Sequence, residues 1–161
     1  MVNFSERLRD DQCSKVTRFQ LTPCADVKAL ARSLGVEVEE RVLGDTTDGY
    51  LERDEFLSES GWKIVINRKR SVVRKRFTVA HELAHFLLHA RDDPFYEPQR
   101  DTFSVGSEEN EANLFAARIL MPGRLVGGFF QEGVRSPNRL GKIFGVSAEA
   151  MSRRLNELGL N

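Results

Sequence analysis

The spacing of hydrophobic and polar residues predicts both helix and strand in the first half of the chain. Residues 22–35 repeat apolar side chains at helical intervals, and Thr22 is a candidate cap for this helix. Residues 36–42 and 61–68 alternate between polar and apolar side chains, which is typical of half-buried strands. The sequence GDTTDG at 44–49 indicates a turn between the two strands.

The second half of the chain predicts helices. Residues 74–90 are apolar on almost every side, which favours a helix buried at the centre of the fold. Residues 91–106 contain two prolines and predict a long connection. Ser107 is then a candidate cap for another helix, which has acidic residues in its first turn. Residues 136–160 predict two short helices.

This order of elements predicts an α+β fold with a small antiparallel sheet, a central helix and C-terminal helices. With 161 residues, we expect a single domain over 1–161, with a helix pair at about 137–159 as an appended subregion. No apolar segment approaches the roughly 20 residues that cross a bilayer, and the first residues do not resemble a signal peptide. We therefore expect a cytoplasmic protein, in which Cys13 and Cys24 are reduced thiols.

The candidate chemistry is concentrated in the sequence HELAH, residues 81–85. His81 and His85 lie four residues apart, so a helix places both on one face, where they can bind a common metal ion. Glu82 lies about 100° further round the helix, where a base could take a proton from metal-bound water. Two ordinary core histidines are the alternative, but each unpaired polar group would cost about 1–3 kcal/mol. His89 lies about 12 Å along the axis from His81, too far to share one ion, so we expect it to be a helix-end residue favoured by the helix dipole.

A third ligand has to come from another segment, and the acidic residues after position 106 are the candidates. Glu109 shares a helical stripe with alanines that would allow close approach to the HELAH helix, so we favour it over Glu108 and Glu111. Asn113, one turn later, would hydrogen-bond a ligand histidine from its outer side. Alternatively, these acids only complement the positive end of their helix.

Two segments of the chain resemble a known family. RKRFTVAHELAHFLLH at 74–89 and EENEANLFAARILMP at 108–122 are similar to the paired motifs of the ImmA/IrrE-type metallopeptidases of bacteria and their mobile elements. The resemblance extends from about Trp62 to the C-terminus. The segment at 91–106 is less typical of the family.

The resemblance implies a compact zincin-like domain that acts as a zinc peptidase. It implies a gluzincin-like site in which His81, His85 and Glu109 bind zinc and Glu82 is the general base. Manganese or iron are alternatives for a histidine–carboxylate site. The implied partner is a protein substrate, typically a helix-turn-helix repressor encoded nearby, whereas some members resemble toxins paired with a DNA-binding antitoxin.

Two further features of the reaction can be predicted. The oxyanion that forms during peptide hydrolysis needs a hydrogen-bond donor besides the metal, for which Tyr50, Tyr96 and Arg74 are candidates. The strand that precedes the HELAH helix, residues 62–67, could receive an extended substrate along its edge.

Two functions other than proteolysis are also considered. In the first, the metal site is structural or weakly active, and the protein sequesters a partner. In the second, the C-terminal helices bind DNA through Arg153 and Arg154, or the basic run at 67–76 does so. Lys plus Arg and Asp plus Glu both number 24, so the overall charge does not favour nucleic acid. We therefore expect the C-terminal helices to pack on the core or to dock a protein partner.

Overall fold

The structure is a computed structural model that describes residues 4–56, 58–97 and 106–160. Within these ranges the chain combines seven α-helices with a three-stranded sheet, which confirms the α+β class. The helices are α1 (Asp10–Phe19), α2 (Val27–Ser33), α3 (Val72–His85), α4 (Ser107–Leu120), α5 (Gly123–Gln131), α6 (Pro137–Phe144) and α7 (Ala148–Glu157). The strands are β1 (Glu37–Arg41), β2 (Gly49–Arg53) and β3 (Trp62–Asn67). A 3₁₀ turn (Phe4–Arg7) precedes α1, and a π-helical turn (Phe86–Ala90) continues α3.

The sheet is mixed, so the expected antiparallel arrangement is wrong for one of its two strand pairs. β3 lies in the centre, antiparallel to β2 and parallel to β1. Every residue of β3 except Lys63 is buried, and strands that are buried on both faces take central positions. Because β3 is hydrogen-bonded on both sides, a substrate cannot add to its edge as the sequence suggested. Among the described strands, β1 and β2 form the two edges of the sheet, and β2 packs on α3.

Helix α2 begins later than its sequence suggested, whereas α4 begins one residue earlier. Asp26, rather than Thr22, caps α2, because its carboxylate accepts two backbone N–H groups of the first turn. Gly106, rather than Ser107, occupies the cap position of α4. The apolar pattern thus located both helices, but the caps depend on local hydrogen bonds that the pattern does not show.

The core is built around the contact between α3 and α4. Ala80 and Ala84 of α3, like Ala112 and Ala116 of α4, are fully buried. Small side chains at buried positions let two helix backbones approach closely. This contact brings the first turn of α4 next to the C-terminal half of α3, where the HELAH residues lie.

The C-terminal helices pack on the end of α4. Arg154 of α7 donates to the carbonyl oxygen of Met121 at 3.0 Å and to the Glu157 carboxylate at 2.6 Å. With only 7% of its surface exposed, Arg154 is not available to a phosphate group. Arg153 is exposed and pairs with Glu149 on the same helix. The predicted packing role of this helix pair therefore agrees with the contacts of α7.

The basic run at 67–76 is held by contacts within the chain. Arg70 and Arg74 both donate to the buried carboxylate of Asp48, and Arg76 donates to a carbonyl oxygen just before α2. These side chains fasten the turn before β2 and the segment before α2 to α3. Their positions agree with a structural role for the run.

Three expectations concern other parts of the chain. Within the described residues, no helix is long and apolar enough to cross a membrane. Cys13 and Cys24 are both free thiols. The connection predicted at 91–106 lies partly outside the described residues, because 98–105 are not among them.

Candidate metal centre

Helix α3 brings His81 and His85 to one face, one turn apart, as their spacing predicts. The two Nε2 atoms are 3.1 Å from each other. Glu109, in the first turn of α4, completes the cluster: its Oε2 lies 3.2 Å from His81 Nε2, and its Oε1 lies 3.1 Å from His85 Nε2. One ligand atom from each residue lies within 4.8 Å of the others, which fits the shared coordination of one ion.

Two residues contact the outer nitrogens of these histidines. Asn113 Oδ1 lies 3.0 Å from His81 Nδ1, and the Tyr96 hydroxyl lies 3.3 Å from His85 Nδ1. An amide oxygen only accepts hydrogen bonds, so we assign the proton of His81 to Nδ1. The lone pair of His81 is then on Nε2, directed at the cluster. This contact is the one that the sequence suggested for Asn113.

Tyr96 is held in place by the end of β2. The Arg53 guanidinium lies over the Trp62 ring, 4.3 Å from its centroid, and donates to the carbonyl oxygens of Pro94 at 2.6 Å and Tyr96 at 3.4 Å. The Tyr96 hydroxyl meets the Nδ1 side of His85, on the opposite side of the ring from Glu109. It is therefore placed to orient His85 rather than to act as the oxyanion donor for which it was a candidate.

The other two candidate donors have different contacts. The Tyr50 hydroxyl lies 3.5 Å from an Arg41 guanidinium nitrogen, and the Arg74 guanidinium binds Asp48 two helical turns before His81. Both contacts hold parts of the sheet and its turns. Their positions agree better with a structural role than with oxyanion stabilisation.

Glu82 lies beside the cluster and is buried, with 8% of its surface exposed. The pKa of its carboxyl group is raised to about 7: burial is the main cause and the charge of Glu109 adds to it, while His81 and a backbone hydrogen bond with Leu51 act in the opposite direction. Leu51 belongs to β2, which packs on α3 closely because Gly49 has no side chain: a Cβ there would lie 2.6 Å from Thr78. A carboxyl group that titrates near neutrality suits proton transfer.

The two histidines differ in their electrostatics. Burial lowers the pKa of His85, and the neighbouring His81 lowers it further. Burial also lowers the pKa of His81, but the hydrogen bond that its protonated form donates to Glu109 and the charges of Glu82 and Glu109 outweigh burial, so the net shift is upward. His85 is therefore neutral at physiological pH, and its Nε2 is a potential metal ligand.

The remaining candidates lie outside the cluster. His89 Nε2 is buried without a hydrogen-bond partner, and it lies 3.8 Å from a Glu111 carboxylate oxygen. Glu111 is bound by Arg7 at 2.9 Å, and the Glu108 side chain is exposed. Burial lowers the pKa of His89, which argues against a charged residue favoured by the helix dipole. Of the three acids after position 106 that were considered as ligands, Glu109 is thus the one beside the two histidines.

Sequence patterns gave no indication of two contacts that shape the site. The position of Tyr96 depends on Arg53, which lies 43 residues earlier in the chain. The contact of Glu82 with Leu51 depends on β2, whose sequence lacks a clear strand pattern. Only the pairing of β2 with β3 reveals either of them.

Comparison with known proteins identifies the class. Residues 31–156 match the model of the peptidase M78 family, which is described as the IrrE N-terminal-like domain. Because the match covers most of the chain, the protein belongs to this family. Membership confirms the family resemblance of the two sequence motifs. It also supports the interpretation that the protein is a metallopeptidase.

Two individual proteins are similar to parts or all of the chain. An "uncharacterized immunity region protein 2" of Bacillus phage phi105 is 38% identical over 66 residues, which are 41% of this chain and 42% of that protein. A Mycobacterium tuberculosis transcriptional regulator has a similar fold, with a TM-score of 0.61 and 19% sequence identity. The match covers 95% of this chain and 49% of the regulator's chain. The chain therefore matches less than half of the length of either protein.

Replacing Tyr96 with phenylalanine tests the outer contact of His85. We expect Tyr96→Phe to weaken zinc binding about tenfold, because the hydroxyl no longer orients the imidazole. Competition with a chromophoric chelator measures this affinity. Tyr50→Phe is the matched control, since it removes a hydroxyl beside Arg41 and should leave the affinity unchanged. Equal zinc affinity of Tyr96→Phe and wild type would show that the hydroxyl does not orient His85.

The raised pKa of Glu82 predicts a pH-dependent stability difference in metal-free protein. The folded-state pKa of about 7 lies above the ordinary value of 4.5, so folding favours the protonated carboxyl and stability falls as the pH rises between these values. Glu82→Gln lacks this titration. Denaturant unfolding should show equal stability near pH 4, and at pH 8 a variant more stable than wild type by up to about 3 kcal/mol.

The exposed Glu108 offers a control for the same chemical change. Glu108→Gln should track wild type at both pH values, because its carboxylate is not buried. A Glu82→Gln protein that is less stable than wild type at pH 8 would contradict the assigned burial of the charge.

Proposed function

We propose that this protein is a zinc-dependent endopeptidase that cleaves a protein substrate. His81, His85 and Glu109 hold the metal, Glu82 is the general base, and Asn113 orients His81. The convergence of two imidazole Nε2 atoms and the Glu109 carboxylate, at 3.1–3.2 Å, carries this proposal. The M78 family membership supports it independently.

The residues present fit a divalent cation. Their donor set is two nitrogens and one carboxylate, and each histidine has a partner at its outer nitrogen, as metal-binding histidines usually do. A bound cation would supply the Lewis acidity that makes water nucleophilic and polarises the peptide carbonyl. We propose zinc, with manganese or iron as alternatives that the same donors can hold.

Glu82 provides the proton transfers. The contact with Leu51 fixes its carboxylate beside His81 and Glu109, and its pKa near 7 allows both protonation states at physiological pH. In its charged form Glu82 accepts a proton from the attacking water, and it then delivers this proton to the leaving amine nitrogen. A site that only stabilises the fold has no use for a buried carboxyl group at this position, because an uncompensated buried charge is destabilising.

The chemistry of the site suggests how a substrate lies across it. β2 is the edge strand on the side of α3, and it contacts the base through Leu51. An extended peptide that pairs with the outer edge of β2 would pass close to Glu82. This placement replaces the expectation that the substrate pairs with residues 62–67.

The proposed substrate is a DNA-binding repressor, or an antitoxin, encoded near the gene. The support is the family membership together with the match to a protein of Bacillus phage phi105 that is named as an immunity region protein. A peptidase with such a substrate acts in the cytoplasm. A sequestering partner of a toxin–antitoxin pair is the alternative, and it predicts binding without cleavage.

Glu82→Gln separates these two functions. Zinc-loaded protein is incubated with a proteome-derived peptide library, and mass spectrometry identifies new N-termini. We expect wild type to generate new termini and Glu82→Gln to lose at least about 100-fold of this activity, because the base is missing while the three ligands remain. The zinc content of both proteins, measured by elemental analysis, should be equal.

Glu108→Gln, which changes an exposed carboxylate of the same chemistry, should cleave like wild type. Cleavage by Glu82→Gln at the wild-type rate would exclude the proposed mechanism. Library peptides that bind equally to both proteins and are cut by neither would favour the sequestering function.

A further inference from the structure

A groove of about 710 Å³ runs between α3, α4 and α7. One end is bounded by Phe77 and Asn113, both of which contact His81: the Phe77 ring centroid lies 6.4 Å from that of His81, and Asn113 accepts the His81 hydrogen bond. The other end lies at Ser71, the cap of α3. The groove therefore ends beside His81 of the candidate metal centre.

The floor of the groove is largely apolar. Val73 and Phe77 of α3, Leu114 and Ala117 of α4, and Ala150 of α7 line it. Val73 is 38% exposed and extends this apolar lining towards solvent. Such a surface favours apolar side chains of a bound polypeptide.

The charged residues that line the groove give it a net positive charge. They comprise three arginines and two glutamates: Arg74, Arg153, Arg154, Glu149 and Glu157. The Asp48 carboxylate that binds Arg74 also binds Arg70, so two positive charges share one negative charge at the α3 end. The N-terminal ends of α3 and α7 meet the groove at Ser71 and Ser147, and their dipoles add to this positive potential.

The ion pairs in the groove differ in how easily they can be replaced. Arg154 is buried and fixed to Met121 and Glu157. Arg153 and Glu149 form an exposed pair, with 78% and 75% of their side chains accessible, and such pairs contribute little stability. Arg153 is therefore free to exchange its partner for an acidic residue of a bound chain.

We propose that this groove binds the part of the protein substrate on one side of the scissile bond, and that it selects apolar residues followed by an acidic one. The inference rests on the proposed peptidase function. From His81 to Ser71, helix α3 extends about 15 Å, which corresponds to about four or five residues of an extended peptide.

Duplex DNA is a poorer fit to the same surface. The groove is lined by apolar side chains between its charged residues, whereas a phosphate backbone requires a continuous basic face. Glu149 and Glu157 also lie on the α7 side, where they would repel phosphate groups. A polypeptide that combines apolar and acidic side chains matches both the apolar residues and the arginines that line the groove.

An array of short synthetic peptides tests this inference by binding alone. The peptides carry Asp, Asn or Lys at one position of otherwise identical apolar-rich sequences, and the probe is zinc-loaded, full-length Glu82→Gln protein, which leaves bound peptides intact. We expect Asp peptides to bind about threefold more tightly than Asn peptides, in line with an exposed ion pair, and Lys peptides to bind most weakly.

Two pairs of variants in the Glu82→Gln background assign the binding to the groove. Arg153→Glu should reverse the preference, whereas Arg139→Glu, on an exposed position of α6 outside the groove, should preserve it. Ala150→Trp should reduce binding of all peptides about tenfold by filling the groove, whereas Ala148→Trp, an exposed position of α7, should not. Thermal unfolding checks that each variant is folded, and Arg153→Glu changes only an exposed side chain.

The possible results separate this inference from the proposed function. Charge-selective binding that Arg153→Glu reverses supports the groove, whether or not wild-type protein cuts the peptides. Binding without charge preference, or binding that neither groove variant alters, overturns it, as does stronger binding of a DNA duplex than of any peptide. Cleavage that requires Glu82 but ignores the groove variants would leave the peptidase function intact and remove only this inference.

Discussion

The close approach of α3 and α4 is the contact on which the rest of the site depends. Buried alanines on both helices let the first turn of α4 lie against the C-terminal half of α3. Only at this separation does the Glu109 carboxylate come within 3.1–3.2 Å of the two imidazole nitrogens. Larger side chains at these buried positions would push the helices apart, and the three donor atoms would no longer converge.

The sheet positions two further parts of the site through strand β2. β2 lies against α3 because Gly49 leaves room for Thr78, and its Leu51 contacts the buried Glu82 carboxyl. The same strand ends at Arg53, which holds the Tyr96 segment against His85. The five-residue strand β2 thus positions both Glu82, the candidate base, and Tyr96, which contacts the outer nitrogen of His85.

The parts of the site that the sequence predicts are those fixed by local periodicity. His81, Glu82 and His85 are placed by one helix, and the stripe of Glu109, Ala112 and Asn113 is placed by another. The M78 family match agrees with both motifs. Three features could not be predicted, because each depends on contacts between distant segments. They are strand β2, the parallel pairing of β1 with β3, and the position of Tyr96. The sheet order also explains why residues 62–67 cannot receive a substrate strand.

Anomalous diffraction at the zinc absorption edge, from crystals of the zinc-loaded protein, tests the central claim most directly. The account predicts one peak within about 2.0–2.2 Å of His81 Nε2, His85 Nε2 and a Glu109 carboxylate oxygen. A peak coordinated by His89 or Glu111 in place of these residues, or no peak between α3 and α4, would contradict it.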